Sequence, residues 1–145
     1  MPQLISIAIF IKLFDEPFFL DTSYLIALEL ADDQHHSIAL PHWQSIQQKP
    51  LQSTTTSYTF DEVVTFLNSR HLHAKAVKIG QILLSSPSID LIQVDDELFG
   101  EAWQYFQRYD DKSYSLTDCI FFIVMQRREI RSCLTFDQLI DSSRI

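Results

Sequence analysis

Short apolar runs alternate along this chain with stretches in which apolar residues recur every three or four positions. Phe18-Phe19-Leu20 reads as a first strand, and a helical pattern starts at once behind it, over residues 22–31, with Tyr24, Leu25 and Leu28 on its buried face. Asp32 and Asp33 break that pattern, and a second helix runs through His35, Ile38, Ala39, Trp43 and Ile46. Pro41 lies inside it and is expected to kink or restart it, because proline lacks the N–H that the ladder needs. Residues 51–55 form a polar, β-prone second strand. A helix opens at Thr59-Phe60-Asp61-Glu62, another covers residues 73–84, and Ser85-Ser86-Pro87-Ser88 ends the pair. Residues 89–94 are the third strand, Asp95-Asp96-Glu97 starts the next helix, and the polar loop Asp110-Asp111-Lys112-Ser113 leads to an apolar helix over 119–125. A fourth strand covers residues 132–135, and Asp137 begins a last short helix.

Strands alternating with helices through short loops predict an α/β fold, three layers deep, around a central parallel sheet. No repeat, low-complexity tract or linker divides the chain, so residues 1–145 read as one domain. Residues 1–14 form an apolar N-terminal extension that is too short to span a bilayer and lacks the flanking charge of a signal peptide. It fits a strand, a short helix or a loosely docked arm equally well.

Composition narrows the function. A formal net charge of −8 argues against a protein that coats nucleic acid by bulk charge, but not against an enzyme that grips it locally. Cys119 and Cys133 match neither a zinc spacing nor a disulfide framework, which suits a reducing cytoplasm. With only Gly80 and Gly100, the chain has no glycine-rich phosphate loop, so no nucleotide cofactor is expected. A haloacid-dehalogenase-like phosphatase would need an acid where Ser23 stands, and a phospho-receiver domain an acid where Thr54-Thr55-Thr56 stand.

Four acids fall in similar places. Asp21 follows the first strand, Glu62 closes a Thr-x-x-Glu pattern, Asp118 closes Ser115-Leu116-Thr117-Asp118, and Asp137 follows the fourth strand. Each could be a helix cap, since carboxylates are stabilised at helix N-termini. Helices that follow parallel strands start at the carboxyl edge of the sheet, however, so Asp21, Glu62 and Asp137 project toward one rim. Asp118 joins them if its helix starts there too. Carboxylates so gathered repel one another unless a cation lies among them, and oxygen ligands select Mg²⁺ or Mn²⁺. That chemistry points to metal-dependent hydrolysis of a phosphodiester.

The four segments Phe19-Leu20-Asp21-Thr22-Ser23, Thr59-Phe60-Asp61-Glu62-Val63, Tyr114-Ser115-Leu116-Thr117-Asp118-Cys119 and Leu134-Thr135-Phe136-Asp137 resemble, in order and spacing, the signatures of PIN-domain ribonucleases. The closest flavour is the VapC-like toxin of type II toxin–antitoxin pairs. The resemblance covers roughly residues 18 to 141. It implies a sheet ordered 3-2-1-4-5 with its site where strands one and four part. It further implies an acidic metal site of Asp21, Glu62, Asp118 and Asp137, with Thr22, Ser23, Ser115, Thr117 and Thr135 orienting the carboxylates. The implied activity is RNA cleavage with Mg²⁺ or Mn²⁺, leaving 5′-phosphate and 3′-hydroxyl ends. The implied partners are an antitoxin protein and a second copy in a homodimer. This chain departs from the pattern at its end, where the residues up to Ile145 leave no room for a fifth strand, so an order of 3-2-1-4 is expected.

Other residues carry weaker signals. Arg70, His71, His73, Lys75 and Lys78 form the densest basic patch, so Arg70 and Lys75, with Lys112, are candidate RNA contacts. Arg127, Arg128 and Arg131 follow a helix C-terminus, where the dipole favours cations. Asp95, Asp96 and Glu97 read as caps, the histidines lack a third partner at finger-like spacing, and Cys119 reads as a small core residue. The competing function is a non-catalytic PIN-fold interaction module whose acids serve only as caps.

Overall fold

The computed structural model describes residues 17–49 and 51–137. The apolar extension over 1–14, the helix expected after Asp137 and the question of a fifth strand lie outside the described residues. The order is β1 (Phe18–Leu20), α1 (Thr22–Glu29), α2 (His36–Gln47), β2 (Ser53–Thr56), α3 (Ser57–Ser69), α4 (His73–Ser85), β3 (Ile89–Ile92), α5 (Asp96–Arg108), α6 (Leu116–Arg127) and β4 (Ser132–Leu134). All strand pairs are parallel, in the expected order β3-β2-β1-β4. Phe18 lies opposite Ser53 on one side and Ser132 on the other.

Alternation along the central strand divides the core into two layers. Phe18 and Leu20, with Leu134 of β4, face a cluster built by Tyr24, Leu25, Val63, Leu67, Ile79 and Leu83 from α1, α3 and α4. Phe19, with Cys133, faces Leu98, Ala102 and residues 119–125 of α6. Residues 119–125 of α6 are all buried, as expected of a helix apolar on every side. Phe121 meets Phe19 edge to face, with ring centroids 4.5 Å apart. The result is a three-layer α/β/α sandwich. Among the described residues, no helix is long and apolar enough to cross a membrane.

Several local expectations are corrected. Pro41 does not restart the helix, since α2 runs unbroken from His36 to Gln47. Pro41 and Ser37, whose carbonyl loses its N–H partner, are both exposed, so water can take the vacated bond. α1 stops at Glu29 rather than at 31, and β3 stops at Ile92 rather than at 94.

The start of α3 also differs. Thr59 and Glu62 do not form a capping box, because the helix begins at Ser57 and Thr59 is already inside it. The cap is Thr56, the last residue of β2, whose side chain accepts from the Thr59 N–H at 3.2 Å. Strand end and helix cap are therefore the same residue. Thr56→Ala is expected to lower the unfolding free energy by about 1 kcal/mol, read as a lower urea midpoint at unchanged slope.

Candidate active site

Each acid reaches the carboxyl edge of the sheet by a different route. Asp21 follows β1 directly, and its N–H donates to the Leu134 carbonyl at 3.2 Å, which ties it to the end of β4. It stands in the N-cap position of α1 but its side chain makes no capping bond. Asp21 Oδ2 instead accepts from Thr135 Oγ1 at 2.7 Å and from Ser23 Oγ at 3.4 Å. The simple capping explanation for Asp21 therefore fails.

Glu62 sits in the second turn of α3, where its Oε1 accepts from Thr22 Oγ1 at 2.9 Å. That bond joins α3 to the first residue of α1. Asp118 forms the expected capping box with Ser115: its N–H donates to Ser115 Oγ at 3.0 Å, and its Oδ2 accepts from the Ser115 N–H at 2.9 Å. Thr117 lies beside it in the first turn, half-buried. Asp137 is positioned through its backbone, whose N–H donates to Thr135 Oγ1 at 3.0 Å. Thr135 thus bonds Asp21 and Asp137 together, and Ser23 braces it, with Oγ 3.1 Å from Thr135 Oγ1.

Electrostatics unites the four. Burial pushes the Asp21 carboxyl up to about 7, helped by the charges of Asp137 and Asp118 and only partly offset by hydrogen bonds from Thr135 and the Thr22 backbone. Burial also raises Glu62, with Asp118, Asp61 and Asp137 adding to it against the Thr22 bond. Asp118 is raised by burial and by Asp137, against its bonds to Ser115. Asp137 acts on all three of the others. Among the described residues, no three His, Cys, Asp or Glu side chains converge closely enough to hold a metal ion as they stand. Asp21, Glu62 and Asp118 are each turned to a nearby hydroxyl or amide.

The remaining candidates separate from this cluster. Lys75 Nζ donates to the Glu29 carbonyl at 3.1 Å, at the opposite end of α1 from Asp21. Arg70 is the C-cap of α3, eight residues past Glu62, and its guanidinium stands over the Phe66 ring. At 1.5 Å per residue that places it about 12 Å along the helix from Glu62. Lys112 is nearer in sequence, in the loop that leads into Ser115 and α6, and is half-buried. Arg127 pairs with Glu101 at 2.6 Å, and Arg128 pairs with Asp90. Asp95 caps α5, accepting from the Leu98 N–H at 2.8 Å. Burial, with Asp118 beside it, pushes the Cys119 thiol up to about 11, which removes it as a thiolate nucleophile. Phe136, which the sequence signals only by its place between Thr135 and Asp137, also belongs to the site: its N–H donates to Ser23 Oγ at 2.9 Å.

Comparison with known proteins identifies the family and the fold. The PIN domain family model matches residues 18–142. The 23S rRNA-specific endonuclease VapC20 of Mycobacterium tuberculosis is 34% identical over 119 residues, covering 82% of this chain and 88% of that protein. The crystal structure of VapC20, a sarcin–ricin loop cleaving toxin, matches with a TM-score of 0.75 at 33% identity, over 83% of this chain and 89% of that one. A chain from a toxin–antitoxin complex of Klebsiella pneumoniae shares the fold, with a TM-score of 0.52 at 17% identity over 79% of this chain and 82% of that one. The sheet order, the gathering of acids where β1 and β4 end and these matches lead to one conclusion: the chain belongs to the PIN-domain family, as a relative of VapC20.

Proposed function

We propose that this protein is a metal-dependent endoribonuclease, the toxin of a toxin–antitoxin pair, that hydrolyses RNA phosphodiesters at the cluster of Asp21, Glu62, Asp118 and Asp137. The observation that carries the reading is Asp21. It sits where a helix cap would, makes no side-chain capping bond, and has its pKa held up to about 7 by burial, with the charges of Asp137 and Asp118 adding to the shift. A module that kept its acids only as caps would not hold a carboxylate in that state, and of the four acids Asp118 alone takes part in capping in the expected way.

The donor set suits a hard divalent ion. It is all oxygen and mutually repulsive, and no basic side chain among the described residues contributes to the shifts of Asp21, Glu62 or Asp118. Asp21, Asp118 and Asp137, with Glu62, would hold one or two Mg²⁺ or Mn²⁺ ions. Such an ion, when bound, supplies charge against the phosphodiester under attack and acidifies water. Thr135 and Ser23 hold Asp21 and the Asp137 backbone in fixed relation, Thr22 holds Glu62, and Ser115 holds Asp118. These hydroxyls orient the carboxylates in advance, which lowers the reorganisation that metal and substrate demand.

VapC20 acts on 23S rRNA, so the sarcin–ricin loop of 23S rRNA is the first substrate to test here. With a net charge of −8, RNA binding falls to local contacts, for which Lys112, six residues before Asp118 in sequence, would serve next to the acids and Arg70 and Lys75 would serve a longer RNA. The acidic rim also suits an antitoxin that presents a basic side chain, and the toxin would act as a homodimer. The test is cleavage of a 23S rRNA fragment by purified protein with Mn²⁺, beside Asp118→Asn. New 5′-phosphate ends with wild type alone are expected. Equal cleavage by the variant, or none by folded wild type on this fragment or on total RNA, would overturn the reading.

A further inference from the structure

We propose that His35 is a positioning residue for Asp137, acting through the ring of Phe136; the proposal rests on the nuclease reading given above. β4 ends at Leu134, so no strand pairing holds residues 135 to 137, although they carry Thr135 and Asp137. Their order has to come from side chains. Between the two polar residues stands Phe136, whose ring lies flat against His35, with centroids 4.2 Å apart and planes within 4°. Phe136 is also stacked on Tyr24, at 6.1 Å and 19°. Tyr24 is fully buried in α1, and its hydroxyl is 2.9 Å from Nδ1 of the buried His42 in α2. Phe136 is therefore held against a rigid ring from below the surface and a ring from the α1–α2 connection.

His35 is itself fixed. Its N–H donates to Asp33 Oδ1 at 2.8 Å, and it is the residue from which α2 starts. The stack lets two helices determine where the Phe136 backbone lies, and the Phe136 N–H then meets Ser23 Oγ at 2.9 Å. The residues on either side follow: Thr135 Oγ1 donates to Asp21 and accepts from the Asp137 N–H. A shift of the Phe136 ring moves both ends of that relay. Among the described residues, His35 makes no hydrogen bond to Asp21, Glu62, Asp118 or Asp137, so it acts on the site through Phe136.

The test compares wild type, His35→Ala and His35→Phe. The alanine variant removes the stacked ring, and phenylalanine restores a flat ring without the imidazole nitrogens. In His35→Ala, exchange of the Phe136 and Asp137 amides is expected to speed up by roughly tenfold or more, with amides of α6 and β1 unchanged. Apparent Mn²⁺ affinity and kcat on RNA are each expected to fall roughly 10- to 100-fold, with KM within about twofold because RNA binding is untouched. His35→Phe should restore all three. Exchange at Phe136 and Asp137 as slow in His35→Ala as in wild type would overturn the proposal, and so would a failure of His35→Phe to restore it. If wild type neither binds Mn²⁺ nor cleaves RNA, the nuclease reading fails, while the exchange comparison still decides whether His35 positions Asp137.

Discussion

Asp21→Asn is expected to lower RNA cleavage by roughly a thousandfold or more while leaving a folded protein. Asparagine keeps the shape of the side chain, and its carbonyl can still accept from Thr135 Oγ1, so the tie between β1 and β4 survives. What disappears is the negative charge at the most enclosed point of the cluster. In metal-free protein that charge is unfavourable, because it is buried beside Asp137 and Asp118. Asp21→Asn should thus be at least as stable as wild type above pH 7 in the presence of a chelator. Loss of activity with gain of stability is the mark of a residue kept for chemistry at the expense of the fold. Thermal unfolding with EDTA, run beside the cleavage assay, measures both. A variant that is markedly less stable, or one that still cleaves, would contradict this account of Asp21.

The second large effect is a stability that depends on pH in a direction opposite to that of most acidic proteins. Asp21 titrates near 7 in the folded chain against an ordinary value of 3.8. Below about pH 4 it is protonated in both states, and its burial is fully tolerated. Between about 4 and 7 the folded state keeps a proton that the unfolded chain has lost, so stability falls as pH rises. Glu62 and Asp118 are shifted in the same direction and add to the slope. Metal-free protein is expected to melt about 5 °C lower or more at pH 8 than at pH 5. Mn²⁺ competes with those protons, so it should restore the midpoint at pH 8 and do little at pH 5. Asp21→Asn should flatten the profile. Scanning calorimetry with EDTA and with Mn²⁺ at both pH values decides it: a flat wild-type profile, or equal gain from metal at both, would refute the electrostatic picture.

The sheet order and the rim on which the acids gather were legible in the sequence because they depend on strand count and chain direction, which the alternation of apolar runs records. Side-chain direction was not. Asp21 precedes a helix as any cap would, and only the nearness of Thr135, 114 residues away, reveals that its carboxylate turns elsewhere. The start of α3 was misread because Thr54, Thr55, Thr56, Ser57 and Thr59 all suit a cap, and the choice among them depends on where pairing with β1 and β3 ends. The basic patch around Arg70 and Lys75 is dense in sequence, yet the length of α3 carries Arg70 away from Glu62. Pro41 is tolerated because it faces solvent, which periodicity around it did not settle.

β2 carries a consequence of its own. It is buried along its whole length, yet consists of Ser53, Thr54, Thr55 and Thr56, with no purely hydrocarbon side chain. A greasy strand could slide by two residues and still satisfy its core, whereas here three of the four hydroxyls have an address: Ser53 on the Ser88 carbonyl, Thr55 on the Leu20 carbonyl, Thr56 on the Thr59 amide. Sliding strands all three together. It also drags the start of α3, and with it Glu62, away from Thr22. On the proposed site, a mispaired molecule would lose the cluster along with the fold, so the hydroxyls of β2 would tie the capacity to cut RNA to correct assembly.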